Sequence, residues 1–68
     1  MGWTIGRLAK RHGLSRSTLL HYDAIGLLRA SARGGGDYRV YDAADDERLA
    51  AIRRYRRAGL PLVAIRDL

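Results

Sequence analysis

The chain has 68 residues, with 13 Lys and Arg against seven Asp and Glu and a formal net charge of +6; that length admits one domain, with a core near the lower limit for unassisted folding. There is no room for a buried catalytic cleft, and the absence of cysteine removes disulfides and thiolate metal sites. No apolar run approaches the about 20 residues of a bilayer span, and MGWTIGRLAKRHG lacks the apolar stretch of a signal peptide, so the expectation is a cytoplasmic protein with no membrane partner.

The positive charge is unevenly placed. Between Met1 and Tyr22 stand Arg7, Lys10, Arg11 and Arg16 with no acid, while Asp42, Asp45, Asp46 and Glu47 gather further on. Such a field attracts polyanions, nucleic acid above all.

In chain order, Thr4 is placed to cap a first helix of about two to three turns, with Ile5, Leu8 and Ala9 on one face. Gly13 suits the left-handed conformation that ends a helix, and Leu14 offers an apolar contact beyond it. Ser15 caps a second helix, on which Thr18, Leu19 and Tyr22 share one side while Arg16, Ser17, Leu20, His21 and Ala24 face the other way. Ala9, Gly13, Leu14, Leu19 and Tyr22 have the types and spacing of a helix-turn-helix, whose second helix can enter a major groove. An ordinary helical hairpin has the same spacing.

GLLRASARGGGDYRVY holds two extended patterns, Leu27 to Ala30 and Tyr38 to Tyr41, around Gly34, Gly35 and Gly36. This reads as a hairpin, or as a flexible linker. Alternation places Val40 toward the helices and Arg39 outward. Asp42 caps a third helix with an apolar stripe of Leu49, Ile52 and Tyr55, and Arg53, Arg54, Arg56 and Arg57 crowd its C-terminal end. Gly59 closes it, and Pro61 suits the first turn of a short fourth helix carrying Leu62, Ile65 and Leu68.

The chemistry of catalysis is missing. His12 and His21 lie nine positions apart with no cysteine to accompany them, which is no zinc site, and no nucleophile has an evident base. The expectation is no enzyme, no metal and no cofactor, with His12 a partly exposed helix residue and His21 facing a groove.

Taken together, the helix-turn-helix, YDAIGLL, the hairpin ending in YRVY, the capped helix and AGLPLVAIRDL resemble the N-terminal DNA-binding domain of MerR-family transcriptional regulators from Trp3 to Leu68. The resemblance implies a mainly α fold with a small β-hairpin, a winged helix-turn-helix of about four helices. Its parts are a helix-turn-helix at about 4–25, a wing at about 27–41 and helices at about 43–58 and 61–68. It implies that Arg16, Ser17, Thr18, His21 and Tyr22 lie at or near DNA on the recognition helix, and that Arg33, Tyr38 and Arg39 serve the wing. The ring of Tyr22 is by periodicity a core group, its hydroxyl left to reach the backbone. Leu20 and His21 stand where the family often has arginine and an aromatic, and Asp37 where it usually has glycine.

The implied partners are double-stranded DNA, as a promoter inverted repeat, and RNA polymerase at that promoter. The full-length protein is expected to be a homodimer, and this chain monomeric or weakly associating. Two other readings share the sequence features: an excisionase-like architectural protein that bends DNA, and a basic interaction module that meets an acidic partner or a membrane through the third helix.

Overall fold

A computed structural model describes residues 2–33 and 38–68; Gly34, Gly35, Gly36 and Asp37, expected at the wing tip, lie outside the described residues. The elements are β1 (Trp3–Thr4), α1 (Ile5–Arg11), α2 (Arg16–Ala24), β2 (Ala32–Arg33), β3 (Arg39–Tyr41), α3 (Ala43–Arg57) and α4 (Leu62–Arg66). Helix starts follow the polar side chains. The Thr4 hydroxyl accepts from Arg7 N, Ser15 from Thr18 N, and Asp42 and Asp45 exchange bonds in a capping box, each satisfying an amide that has no partner within its helix.

Helix ends repeat one device. At the close of α1, Gly13 has φ +68°, and Leu14 N donates to Ala9 O at 2.8 Å while Gly13 N donates to Lys10 O at 3.2 Å. At the close of α2, Gly26 has φ +74°, with Leu27 N bonded to Tyr22 O at 2.8 Å and Gly26 N to Asp23 O at 3.1 Å. Both are left-handed closures that satisfy the last carbonyls and turn the next leucine inward. This closure corrects one expectation: Leu27 and Leu28 are folded into the core instead of running extended, so the first hairpin strand is Ala32–Arg33, not Leu27 to Ala30.

The sheet order is β1-β3-β2, all antiparallel, with Trp3 opposite Tyr41, Thr4 opposite Val40 and Arg33 opposite Arg39. Strand β1 was not expected from the sequence. It sits so close to β3 that a Cβ at Gly2 would come 2.5 Å from Val40 Cγ1. The phase of β3 is also the reverse of the expectation. Tyr41 is the buried residue and Arg39 shares its face, while Val40, on the other face beside Gly2, is half-buried. Tyr41 lies opposite Trp3 across the sheet, on the face that meets the helices.

The core is one cluster of Leu8, Ala9, Leu19, Tyr22, Leu27, Leu28, Tyr41, Leu49, Ile52 and Ile65. Two further corrections concern its edge: Tyr55 leaves the α3 stripe and stands exposed, and Pro61 occupies the N-cap of α4 instead of its first turn.

Candidate nucleic-acid interface

Helix α2 presents its surface because Leu19 and Tyr22 anchor the opposite side in the core. Arg16, Ser17, His21 and Ala24 are exposed, together with Leu20 at 43 %. Thr18 is half-buried and engaged in capping, its hydroxyl 2.9 Å from Ser15 Oγ. The Tyr22 ring lies in the core, tilted at 48° to the His21 ring with centroids 6.5 Å apart. Of the helix residues singled out in the sequence, then, Arg16, Ser17 and His21 stand on the open face, Thr18 on its margin and Tyr22 in the core.

The wing contributes differently. Arg33 and Tyr38 are exposed, but Arg39 reaches back to α2, where its Nε donates to Asp23 Oδ2 at 2.9 Å. This ion pair links the middle strand of the sheet to the last turn of α2. Beneath it the Tyr41 hydroxyl is buried, and no group among the described residues takes its hydrogen bond. Burial, and then the charge of Asp23, push its pKa up.

Sequence reasoning missed the polar contacts that hold this face in place. Asp45 is buried, and its Oδ2 accepts from Ser31 N at 3.2 Å, Ser31 Oγ at 2.6 Å and Asp42 N at 2.9 Å, which ties the approach to β2 onto the start of α3. Arg48 Nε donates to Leu27 O at 3.0 Å and secures the turn after α2. His12 is buried, not partly exposed as expected. Its Nε2 lies 2.7 Å from Asp46 Oδ1 and its Nδ1 3.3 Å from Arg53 Nη1. Arginine can only donate, so Nδ1 accepts and Nε2 carries the proton toward Asp46.

Arg11 completes this clamp with bonds of 2.9 and 3.3 Å to the two Asp46 oxygens. The Arg11 hydrogen bond first, and the His12 bond second, hold the Asp46 carboxyl below the usual carboxylate range. Asp46, one of the acids gathered at the start of α3, thereby joins α1 to α3.

Residues 3–68 match the family described as MerR HTH family regulatory protein. The chain belongs to that family. Among MerR-type relatives, nodulation protein NolA of Bradyrhizobium diazoefficiens is 44 % identical over 64 residues, covering 94 % of this chain and 27 % of its own. The N-terminal part of MtaN, a multidrug transporter activator of Bacillus subtilis, superposes with a TM-score of 0.94 at 38 % identity, covering 96 % of this chain and 61 % of that one. HiNmlR, a MerR-family regulator lacking the sensor domain and solved bound to promoter DNA, superposes with a TM-score of 0.90 at 28 % identity, covering 98 % of this chain and 53 % of that one. The chain spans about a quarter of the length of the curated relatives it matches. Its fold is the MerR winged helix-turn-helix, with the β2–β3 hairpin as the wing.

Proposed function

We propose that this chain binds double-stranded DNA as the DNA-binding domain of a MerR-type transcriptional regulator, with α2 in the major groove and the wing along the phosphate backbone. The observation that carries the reading is the exposed face of α2, where Arg16, Ser17, Leu20 and His21 stand outward while Leu19 and Tyr22 hold the helix from behind. HiNmlR, of the same fold, was solved on promoter DNA.

In this reading Arg16 forks onto guanine or a phosphate, Ser17 and Thr18 donate hydroxyls to phosphate oxygens, His21 meets a base edge and Leu20 a thymine methyl. Tyr22 contributes its hydroxyl to the backbone while its ring stays in the core. Arg33, Tyr38 and Arg39 grip phosphates from the wing. Arg39 does so while anchored to Asp23, so its part is as much to fix the angle of the wing as to supply charge.

The regulator works in the cytoplasm as a homodimer on a promoter inverted repeat, with RNA polymerase at the same promoter, and catalyses no reaction. Two linked half-sites are needed to distort DNA, so this chain alone reads one half-site.

The test is selection of this chain on a random duplex pool, followed by binding of winners and scrambled duplexes across a salt series. An enriched half-site, with His21→Ala shifting base preference more than nonspecific affinity, supports the reading. Uniform, steeply salt-dependent binding with no enriched sequence overturns base recognition and leaves only charge.

A further inference from the structure

The outer side of α1 carries a feature that the DNA reading does not use. Trp3, Arg7, Lys10 and Arg11 line an open depression of about 510 Å³, room for one or two side chains of a partner. Arg7, Lys10 and Arg11 share one side of α1, and Trp3 joins them from β1. Arg11 is pinned by Asp46 and lies over the Trp3 ring, its guanidinium carbon 5.2 Å from the centroid. Arg7 and Lys10 are exposed, and no described residue pairs with either side chain.

The depression lies on the side of α1 opposite the buried Leu8 and Ala9. Around α1, the Gly6 side meets α2, since a Cβ at Gly6 would lie 3.9 Å from Arg16 Cδ. The Arg11 side meets Asp46 of α3. Trp3, stacked by Arg11, therefore stands on the flank toward α3, while Lys10, one turn after Gly6, stands on the flank toward α2.

We propose that this depression docks an acidic segment of another protein, one that places carboxylates on Arg7 and Lys10 and an apolar side chain against the Trp3 indole. Charge complementarity selects the occupant: two unpaired cations flank an immobilised aromatic, and no acid stands between Met1 and Tyr22. A phosphate backbone would use the cations but has nothing to place against the indole, whereas an acidic segment with leucine or phenylalanine uses both. This is a different surface from α2, and it stands whether or not α2 reads bases.

Trp3 is the sole tryptophan, so its emission reports on the site directly. The probe is a 12-residue peptide alternating glutamate pairs with leucine and phenylalanine, titrated into this chain both free and bound to a duplex. The expected result is a saturable change in Trp3 emission in both titrations with the duplex retained. Arg7→Ala with Lys10→Ala should weaken the peptide about tenfold, as two rim ion pairs allow, and leave duplex affinity within about twofold. Arg54→Ala with Arg57→Ala, on exposed positions of α3, should leave peptide affinity in place. The proposal is overturned if emission does not saturate, if the peptide displaces the duplex, or if the α3 pair weakens the peptide equally. It is overturned also if Arg7→Ala with Lys10→Ala costs the duplex as much as the peptide, which would give the patch to DNA. Failure to bind any duplex would count against the function of α2 alone, since the titration of the free chain reads the depression separately.

Discussion

Helix α2 leans on two very different neighbours. On one side it shares the core with Leu8 of α1 and Leu49 and Ile52 of α3, which water hardly reaches, backed by the His12–Asp46 bond between side chains 7 % and 17 % exposed. Toward the wing it is joined by the Arg39–Asp23 pair, with side chains 29 % and 22 % exposed, and by a sheet whose strands are two or three residues long. Apolar burial depends little on salt, whereas a partly exposed ion pair is screened by it. The helix proposed to read bases is thus fixed by packing, and the tie between it and the wing is an ion pair that solution conditions can tune.

The largest break in this comparison should come from the packed side. Leu49→Ala opens a cavity at a fully buried position and should cost about 2 to 5 kcal/mol, while Val40→Ala on the half-buried face of β3 should cost about 1 kcal/mol or less; urea denaturation of both variants checks the contrast. Equal losses would mean that the wing is as tightly packed as the helices.

Acid should act next, again on the helix side. The carboxyl of Asp46 is lowered on folding, so it contributes stability above its unfolded pKa and loses it as pH falls through the folded value. Melting temperature should therefore decline from roughly pH 4 downward, and Asp46→Asn should start several degrees lower and show a shallower decline. Identical acid profiles for the two proteins would remove Asp46 from the clamp.

On the wing side, Asp23→Asn should change stability by less than about 1 kcal/mol, as for exposed pairs, yet weaken duplex binding, with Asp23→Glu recovering part of the loss. A melting shift as large as that of Leu49→Ala would show the Asp23–Arg39 pair to carry the fold as much as core packing does. The smallest effect belongs to Tyr41→Phe. Its hydroxyl is buried without a partner among the described residues, and removing it should leave stability unchanged or raise it by up to about 1 kcal/mol, read as melting temperature.

How much of this could be read in advance depended on distance along the chain. Thr4, Ser15 and Asp42 announce helix starts, and Gly13 and Gly59 helix ends, because each acts on amides or carbonyls within a few residues. The exposed set on α2 followed from periodicity for the same reason. By contrast, the partners of Asp46 lie 34 and 35 positions away, and no local pattern distinguishes an acid that favours a helix dipole from one that clamps two helices. Strand β1 is two residues long, too short for alternation to register. Alternation in YRVY showed that two faces exist, but which faces inward was decided by Trp3 and Tyr41 meeting across the sheet.

That meeting also orders events during synthesis. The α1–α2 pair is built from neighbours in sequence, and its helices can associate as soon as both have formed. Trp3 and Thr4 are made before Val40 and Tyr41 and find no sheet partner until those have followed, and Arg11 and His12 wait for Asp46. A nascent chain stopped short of position 41 would hold a helical pair with Trp3 and Thr4 unpaired, and the wing and the clamp would close almost together once α3 begins.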